Sequence, residues 1–214
     1  MDLSEEPDMH EVLIPHLEAT MGLNWSSPPP DVARLLEEGG ARKLLAGTGP
    51  SDLQLDPLIR RCGSRAVAAV LARVGMAGAV TSSLTPTLAW SDVVEVQTVL
   101  LGREARFRRG DAITPARSER YAILVGLESL VARKVEADAK DGAHDILKGI
   151  RLYLDFAFVH PFEDGNARAA LLWLAYFHWR CGWRLPRLAR LPAFEFIPGD
   201  KACYWDFARL ALRP

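Results

Sequence analysis

The segment 166–180, NARAALLWLAYFHWR, presents apolar side chains on every face of a helical wheel through Phe177. A helix without a polar stripe cannot lie on a surface; other elements must wrap it. Its strong polar side chains before Phe177, Asn166 and Arg168, both fall in the first turn. The stretch 143–159 places Ile146, Ile150, Leu154 and Ala157 on one face, which predicts a second core helix. Between them runs HPFEDGNAR, residues 160–168, a cluster of ionisable and polar groups bounded by buried segments.

Each residue of that string has a local reason. Pro161 disfavours a helical conformation at His160, so the preceding helix should stop there. Gly165 permits a sharp turn, and Asn166 is expected to act as N-cap of the central helix. The free N–H groups of that helix start, with Arg168 beside them, make an anion site. Asp164 would be unwelcome next to a bare anion but fits a divalent cation shared with phosphate oxygens. His160 stands where a base would close the loop. A base, a metal carboxylate, an amide cradle and an arginine together describe phosphoryl-type transfer.

The remainder of the chain reads as helices with one β element. Helices are expected over 8–22, over 31–38 with Asp31 as cap and Gly39-Gly40 as stop, over 55–75, and from Ser91 to about Leu101. WSSPPPD at 25–31 is a rigid break, and 81–92 reads as a loop. Residues 105–114, ARFRRGDAIT, suggest two short extended runs about a turn at Arg109-Gly110-Asp111. Ser118 is expected to cap a long helix to about 138, ahead of the break AKDG. The expected fold class is all-α with a single β-hairpin, divided into an N-terminal helical extension, 1–54, and a catalytic domain, 55–214.

Composition narrows the classes of function. A net charge of −1 gives no global field for nucleic acid or an anionic membrane, although 103–109 and 184–190 are locally arginine-rich. The longest apolar run near the motif is too short to span a bilayer. The start MDLSEEPDMHE lacks the pattern of a signal peptide. Cys62, Cys181 and Cys203 match neither a disulfide framework nor a zinc site. These features predict a cytoplasmic protein with reduced thiols, no nucleic-acid partner and no membrane partner. Arginine far outnumbers lysine, of which there are five, as in GC-rich bacterial genomes.

HPFEDGNAR resembles the signature of Fic-domain proteins, HPFx(D/E)GN(G/K)R, and the resemblance extends over residues 55–214. It implies a helical core with a β-hairpin flap and transfer of a nucleotidyl group, usually AMP from ATP, to a Ser, Thr or Tyr hydroxyl. On that likeness His160 is the base, Phe162 anchors the loop, and Asp164 holds Mg²⁺. Gly165, Asn166, Ala167 and Arg168 bind phosphates, and Tyr204, in an aromatic final helix with Trp205, lies near the nucleotide base. Phe107, Arg108, Arg109, Ile113 and Thr114 form the substrate-docking flap. The acceptor is a hydroxyl on a protein or a small molecule, and a separate inhibitor protein is a further implied partner.

Two positions depart from the family pattern. Ala167 stands where Gly or Lys is usual, and Leu171 stands where AMP-transferring members commonly carry a second arginine that grips the γ-phosphate. The inhibitory motif (S/T)xxxE(G/N) is absent; Ser91 to Glu95 comes nearest, but Val96 follows. The alternatives are therefore a phosphotransferase resembling Doc, a transferase using a CDP-alcohol or similar donor in biosynthesis, and a non-catalytic scaffold that binds nucleotide or a partner. Elsewhere, His178 reads as a satisfied core histidine, and Trp173, Tyr176, Phe177, Trp179 and Trp183 as core. His10, His16 and His144 read as surface residues, Glu163 as solvent-facing, and 184–192 as a solvated loop.

Overall fold

The computed structural model describes residues 10–40, 56–79, 88–114, 119–121, 123, 125–186, 188–194, 197 and 199–213. Within them α1 (His10–Gly22), α2 (Pro30–Gly40), α3 (Pro57–Arg60), α4 (Ser64–Ala79) and α5 (Trp90–Leu101) lead to two short strands. Strands β1 (Ala112–Thr114) and β2 (Glu119–Tyr121) are followed by α6 (Leu127–Lys140), α7 (Asp145–Val159) and α8 (Asn166–Arg180). A 3₁₀ turn at Leu188–Ala193 and α9 (Lys201–Leu212) complete the order. The architecture is the expected helical one. Among the described residues no helix is long and apolar enough to cross a membrane.

Helix α8 is the axis. Residues Ala169–Trp179 are buried without a break, and Trp173 is fully enclosed. Burying a large apolar side chain completely contributes about 1.5–3 kcal/mol, so this one helix anchors much of the core. Its main partner is α7, with α4, α3 and α5 against other faces. The approach of α7 to α8 needs Gly149, where a Cβ would lie 2.8 Å from Phe177 Cβ. Helices α1 and α2 pack on α7 and α9, so Leu13, Leu17, Trp25 and Val32 share one core with the rest.

Several boundaries differ from expectation. The helix foreseen over 55–75 is split into α3 and α4 at Gly63, which adopts φ 88. Helix α2 begins at Pro30, so Asp31 lies in its first turn and pairs with Arg209 instead of capping. Helix α5 begins at Trp90 with Ala89 as N-cap; Asp92, not Ser91, accepts the Ala89 N–H at 2.9 Å. Ser118 lies outside the described residues, and the helix expected to follow it starts only at Leu127, after Gly126 in the left-handed region. Glu119–Tyr121 is instead a strand, paired antiparallel with β1 through Ala112–Tyr121, Ile113–Arg120 and Thr114–Glu119. Arg109-Gly110-Asp111 therefore precedes β1 and does not join the two paired strands, whose connecting residues 115–118 lie outside the described residues.

Burial corrects other readings. His16 is fully buried, not a surface residue. The stretch 184–192 is pinned by Leu188 and Leu191, both fully buried, while Arg184 and Arg190 point out. His144 is exposed as expected and caps α7, its Nδ1 accepting the Ile146 N–H. The side chain of His10 lies outside the described residues. His178 is buried with Nδ1 2.8 Å from the Leu174 carbonyl, and Trp173, Tyr176, Phe177, Trp179 and Trp183 are core.

Candidate active site

The loop 160–165 is shaped by two left-handed residues. His160 ends α7 at φ 47, ψ 61, and among the described residues it alone takes a positive φ without being glycine. Such a conformation costs about 1–3 kcal/mol and persists only where the surroundings impose it. Gly165 precedes α8 at φ 79, ψ 6, and a Cβ there would meet Gln97 Nε2 at 2.7 Å. That Gln97 nitrogen donates to the Asp164 carbonyl at 2.5 Å. Phe162 is 1% exposed and stacks on Trp90 with ring centroids 5.5 Å apart, so the loop is anchored in the core.

Asn166 does not cap α8; Gly165 occupies that position. The buried Asn166 amide spans the loop: Oδ1 accepts the Phe162 N–H at 2.9 Å and Nδ2 donates to the Phe162 carbonyl at 2.7 Å. A clasp with both ends of the amide occupied fixes the loop, and the side chain is turned toward Phe162. Asp164, with 60% of its side chain exposed, accepts the Gly165 N–H through Oδ1 at 2.6 Å. Its Oδ2 lies 3.7 Å from an Arg168 Nη, one turn on. An exposed i,i+4 pair is worth about 0–1 kcal/mol, so a ligand can displace it cheaply. Ala167 is exposed at the second helical position.

The imidazole of His160 is half-buried, with Nδ1 3.2 Å from the Ala157 carbonyl. A carbonyl only accepts, so Nδ1 carries the hydrogen and Nε2 is the basic nitrogen. Tyr121 of β2 stacks on the ring, centroids 3.7 Å apart and planes inclined by 24°.

The segment before β1 does not form the first arm of a hairpin. It lies along the motif loop, with a bridge between Phe107 and Phe162, Arg108 N–H donating to the Pro161 carbonyl at 3.0 Å, and Glu163 N–H donating to the Arg106 carbonyl at 3.2 Å. Arg108 is 4% exposed. Its Nε donates to the His160 carbonyl at 2.8 Å and its Nη2 to Val159 at 2.8 Å, while Nη1 reaches Gly110 and Tyr121 carbonyls at 2.9 Å each. A cation placed on the last carbonyls of α7 complements the negative end of the helix dipole. Burial lowers the pKa of this guanidinium, with Asp111 opposing. Of the two arginines expected in the flap, Arg109 is exposed, as is neighbouring Arg106, while Arg108 is built into the loop's support. Phe107 is half-buried beside Trp90. Ile113 and Thr114 are placed only as strand positions of β1.

Two more expected residues lie in the core. Leu171 is 7% exposed. Tyr204 is fully buried, its hydroxyl 2.9 Å from His16 Nδ1 and accepting the Gly199 N–H at 3.2 Å. Burial pushes its pKa up to about 12. This tyrosine holds α1, α7 and α9 together and faces no open surface in this structure. Glu163 is exposed as expected, within 4.0 Å of Arg103. Gln97 and Tyr121 are the contributors that the sequence reading missed. Tyr121 had a signal, the alternation in Glu-Arg-Tyr, which the helix assigned to that stretch concealed.

Comparison with known proteins bears on this geometry. A family model described as "Fic/DOC family" covers residues 91–178, from α5 through both strands and the motif loop to near the end of α8. Residues 91–178 match the Fic/DOC family. That family generally transfers phosphate-containing groups such as AMP to hydroxyls. No curated protein matches the chain. A Fic domain containing signaling protein from Bacteroides thetaiotaomicron superposes with a TM-score of 0.50 at 14% identity, over 98% of this chain and 88% of that one. Fic-1 from C. elegans gives a TM-score of 0.48 at 17% identity, over 96% of this chain and 61% of that one. The Bacteroides likeness bears on the fold alone, which it extends beyond the Fic/DOC segment to α1–α4 and α9.

Proposed function

We propose that this protein is a transferase that moves a phosphate-containing group, with AMP from ATP as first choice, onto a hydroxyl of a protein acceptor. The observation that carries the reading is the contact at His160: Nδ1 lies 3.2 Å from the Ala157 carbonyl, an acceptor, which assigns the proton-accepting role to Nε2. Asp164 of the loop is exposed and Arg168, in the first turn of α8, is partly so, and a displaceable pair holds them. On this reading Nε2 takes the hydroxyl proton as the oxygen attacks the α-phosphorus. The bond to the bridging oxygen breaks and pyrophosphate leaves toward Arg168 and the first amides of α8. General-base help of this kind is worth roughly 10²–10⁴ in rate.

Among the described residues no three His, Cys, Asp or Glu side chains gather as a metal site. Mg²⁺ commonly takes one or two carboxylates and leaves its other positions to phosphate and water. Asp164 would supply the carboxylate, and the ion would neutralise charge on the phosphates. Strand β1 would guide an extended acceptor segment, with Arg106 and Arg109 nearby.

The burial of Leu171 favours a second reading. No cation projects from that position to hold a γ-phosphate, which suits a donor without one, such as a CDP-alcohol. The test is incubation with Mg²⁺ and ATP labelled at the α- or the γ-phosphate, with His160→Ala alongside. Label arriving from the α-phosphate alone supports AMP transfer, and from the γ-phosphate alone a Doc-like phosphotransfer. Transfer that survives His160→Ala overturns the mechanism. Silence with every nucleoside triphosphate directs the assay to CDP-alcohols; silence there too leaves a binding scaffold.

A further inference from the structure

Two features of the loop surroundings go beyond the base itself: a left-handed histidine and an aromatic ring laid over its imidazole. His160 sits at φ 47, a conformation that any Cβ disfavours, and something must hold it there. Arg108 does so from below. Its guanidinium donates to the Val159 and His160 carbonyls on one side and to the Gly110 and Tyr121 carbonyls on the other. The same arginine therefore ties the end of α7 to strand β2. From above, the Tyr121 ring lies 3.7 Å from the imidazole centroid at 24°. One residue of β2 thus meets the histidine twice, through its backbone carbonyl by way of Arg108 and through its own ring.

We propose that Tyr121 and Arg108 are positioning residues for His160: Tyr121 fixes the plane of the imidazole and Arg108 fixes the backbone beneath it. The inference rests on the reading of His160 as base. Rotation about the histidine Cα–Cβ and Cβ–Cγ bonds swings Nε2 through an arc, and the Ala157 carbonyl holds the ring at Nδ1. A ring stacked on its face removes the remaining swing. The pairing of β2 with β1 then couples the histidine's orientation to the strands that would receive the acceptor. Misplacement of a reacting group by about 1 Å can cost about 10²-fold in rate. The stacking needs an aromatic ring, not a hydroxyl, which separates this role from proton transfer by Tyr121.

The decisive comparison is Tyr121→Phe against Tyr121→Ala, read by two methods. In the parent, the ring protons of His160, followed by NMR on protein labelled at histidine, should be shifted upfield by the Tyr121 ring stacked over them. Tyr121→Phe should keep that shift and rescue kcat to within about threefold, whereas Tyr121→Ala should lose it and lower kcat by about 10–100-fold, with donor KM nearly unchanged. Arg108→Lys, which cannot supply the same planar fork, should also lower kcat with retained KM. Unchanged His160 shifts in Tyr121→Ala overturn the inference, as does a lost shift with full kcat. A kcat in Tyr121→Phe as low as in Tyr121→Ala overturns it too, by assigning the hydroxyl the work. If the parent transfers nothing from any donor, the functional reading falls, and the NMR arm alone decides whether Tyr121 orients the histidine.

Discussion

Lys134 of α6 and Asp155 of α7 face each other at 2.8 Å with 3% of either side chain exposed. Lys134 also reaches Asp138 at 2.7 Å, and Asp138 lies 3.4 Å from Arg151. On its other side Asp155 lies 3.4 Å from His16 Nε2. Burial lowers the His16 pKa despite Asp155, so this contact is a hydrogen bond from a neutral ring and not an ion pair. With Nε2–H given to Asp155, His16 Nδ1 accepts from the Tyr204 hydroxyl, which accepts from Gly199 N–H. One polar chain thus runs from α6 through α7 and α1 to the start of α9.

Asp155→Ala should therefore destabilise the protein by about 3 kcal/mol, because buried Lys134 keeps only Asp138 as partner and His16 Nε2 loses its acceptor. Urea unfolding measures this. A loss below about 1 kcal/mol would mean that water reaches the pair.

His178 predicts how stability responds to acid. Burial lowers its pKa from 6.5 to about 4, with carbonyl hydrogen bonds opposing. Below pH 6.5 the unfolded chain binds a proton that the native state refuses until about pH 4, so stability falls through that window. The full loss is about 3 kcal/mol, and His16 acts in the same direction. Urea midpoints should drop between pH 7 and pH 5, and His178→Gln should shrink that drop. An identical slope in the variant would exclude His178 as its source.

Gly165→Ala should damage the loop twice over. The left-handed backbone penalises any Cβ by about 1–2 kcal/mol, and this Cβ meets the Gln97 amide. Gln97→Ala should free that space while releasing the Asp164 carbonyl. Thermal melting of both single variants and the double variant should reveal non-additive losses. Simple additivity would mean that the two side chains do not share the space described.

Asp164→Asn separates chemistry from folding. Its side chain is 60% exposed and paired only weakly with Arg168, so stability should change by no more than about 0.5 kcal/mol. The Mg²⁺ concentration needed for transfer should rise. An unchanged Mg²⁺ requirement would remove Asp164 from the metal's surroundings.

The helical core was legible because periodicity and burial agree. An all-apolar α8 could occupy only the centre, and Pro161 with Gly165 marked both ends of the loop. Less legible were the groups whose roles depend on distant partners. Asn166 looked like a cap because local preference favours it there, yet the Phe162 backbone claims its amide. Arg108 looked like a surface contact until the carbonyls at the end of α7 surrounded it. His16 looked exposed because its partners, Asp155 and Tyr204, lie far along the chain. The strand at Glu119–Tyr121 was hidden behind a serine that resembled a helix cap. No local pattern announces that Tyr121 will lie on His160.

Arg108 collects carbonyls from residues 110, 121, 159 and 160. During synthesis it leaves the ribosome some fifty residues ahead of the last of them. A nascent chain that stops short of α8 already holds Arg108 and its carbonyls but lacks Asn166, the clasp around the loop. The loop therefore takes its closed geometry late in synthesis, when the first residue of α8 joins a support that is already complete.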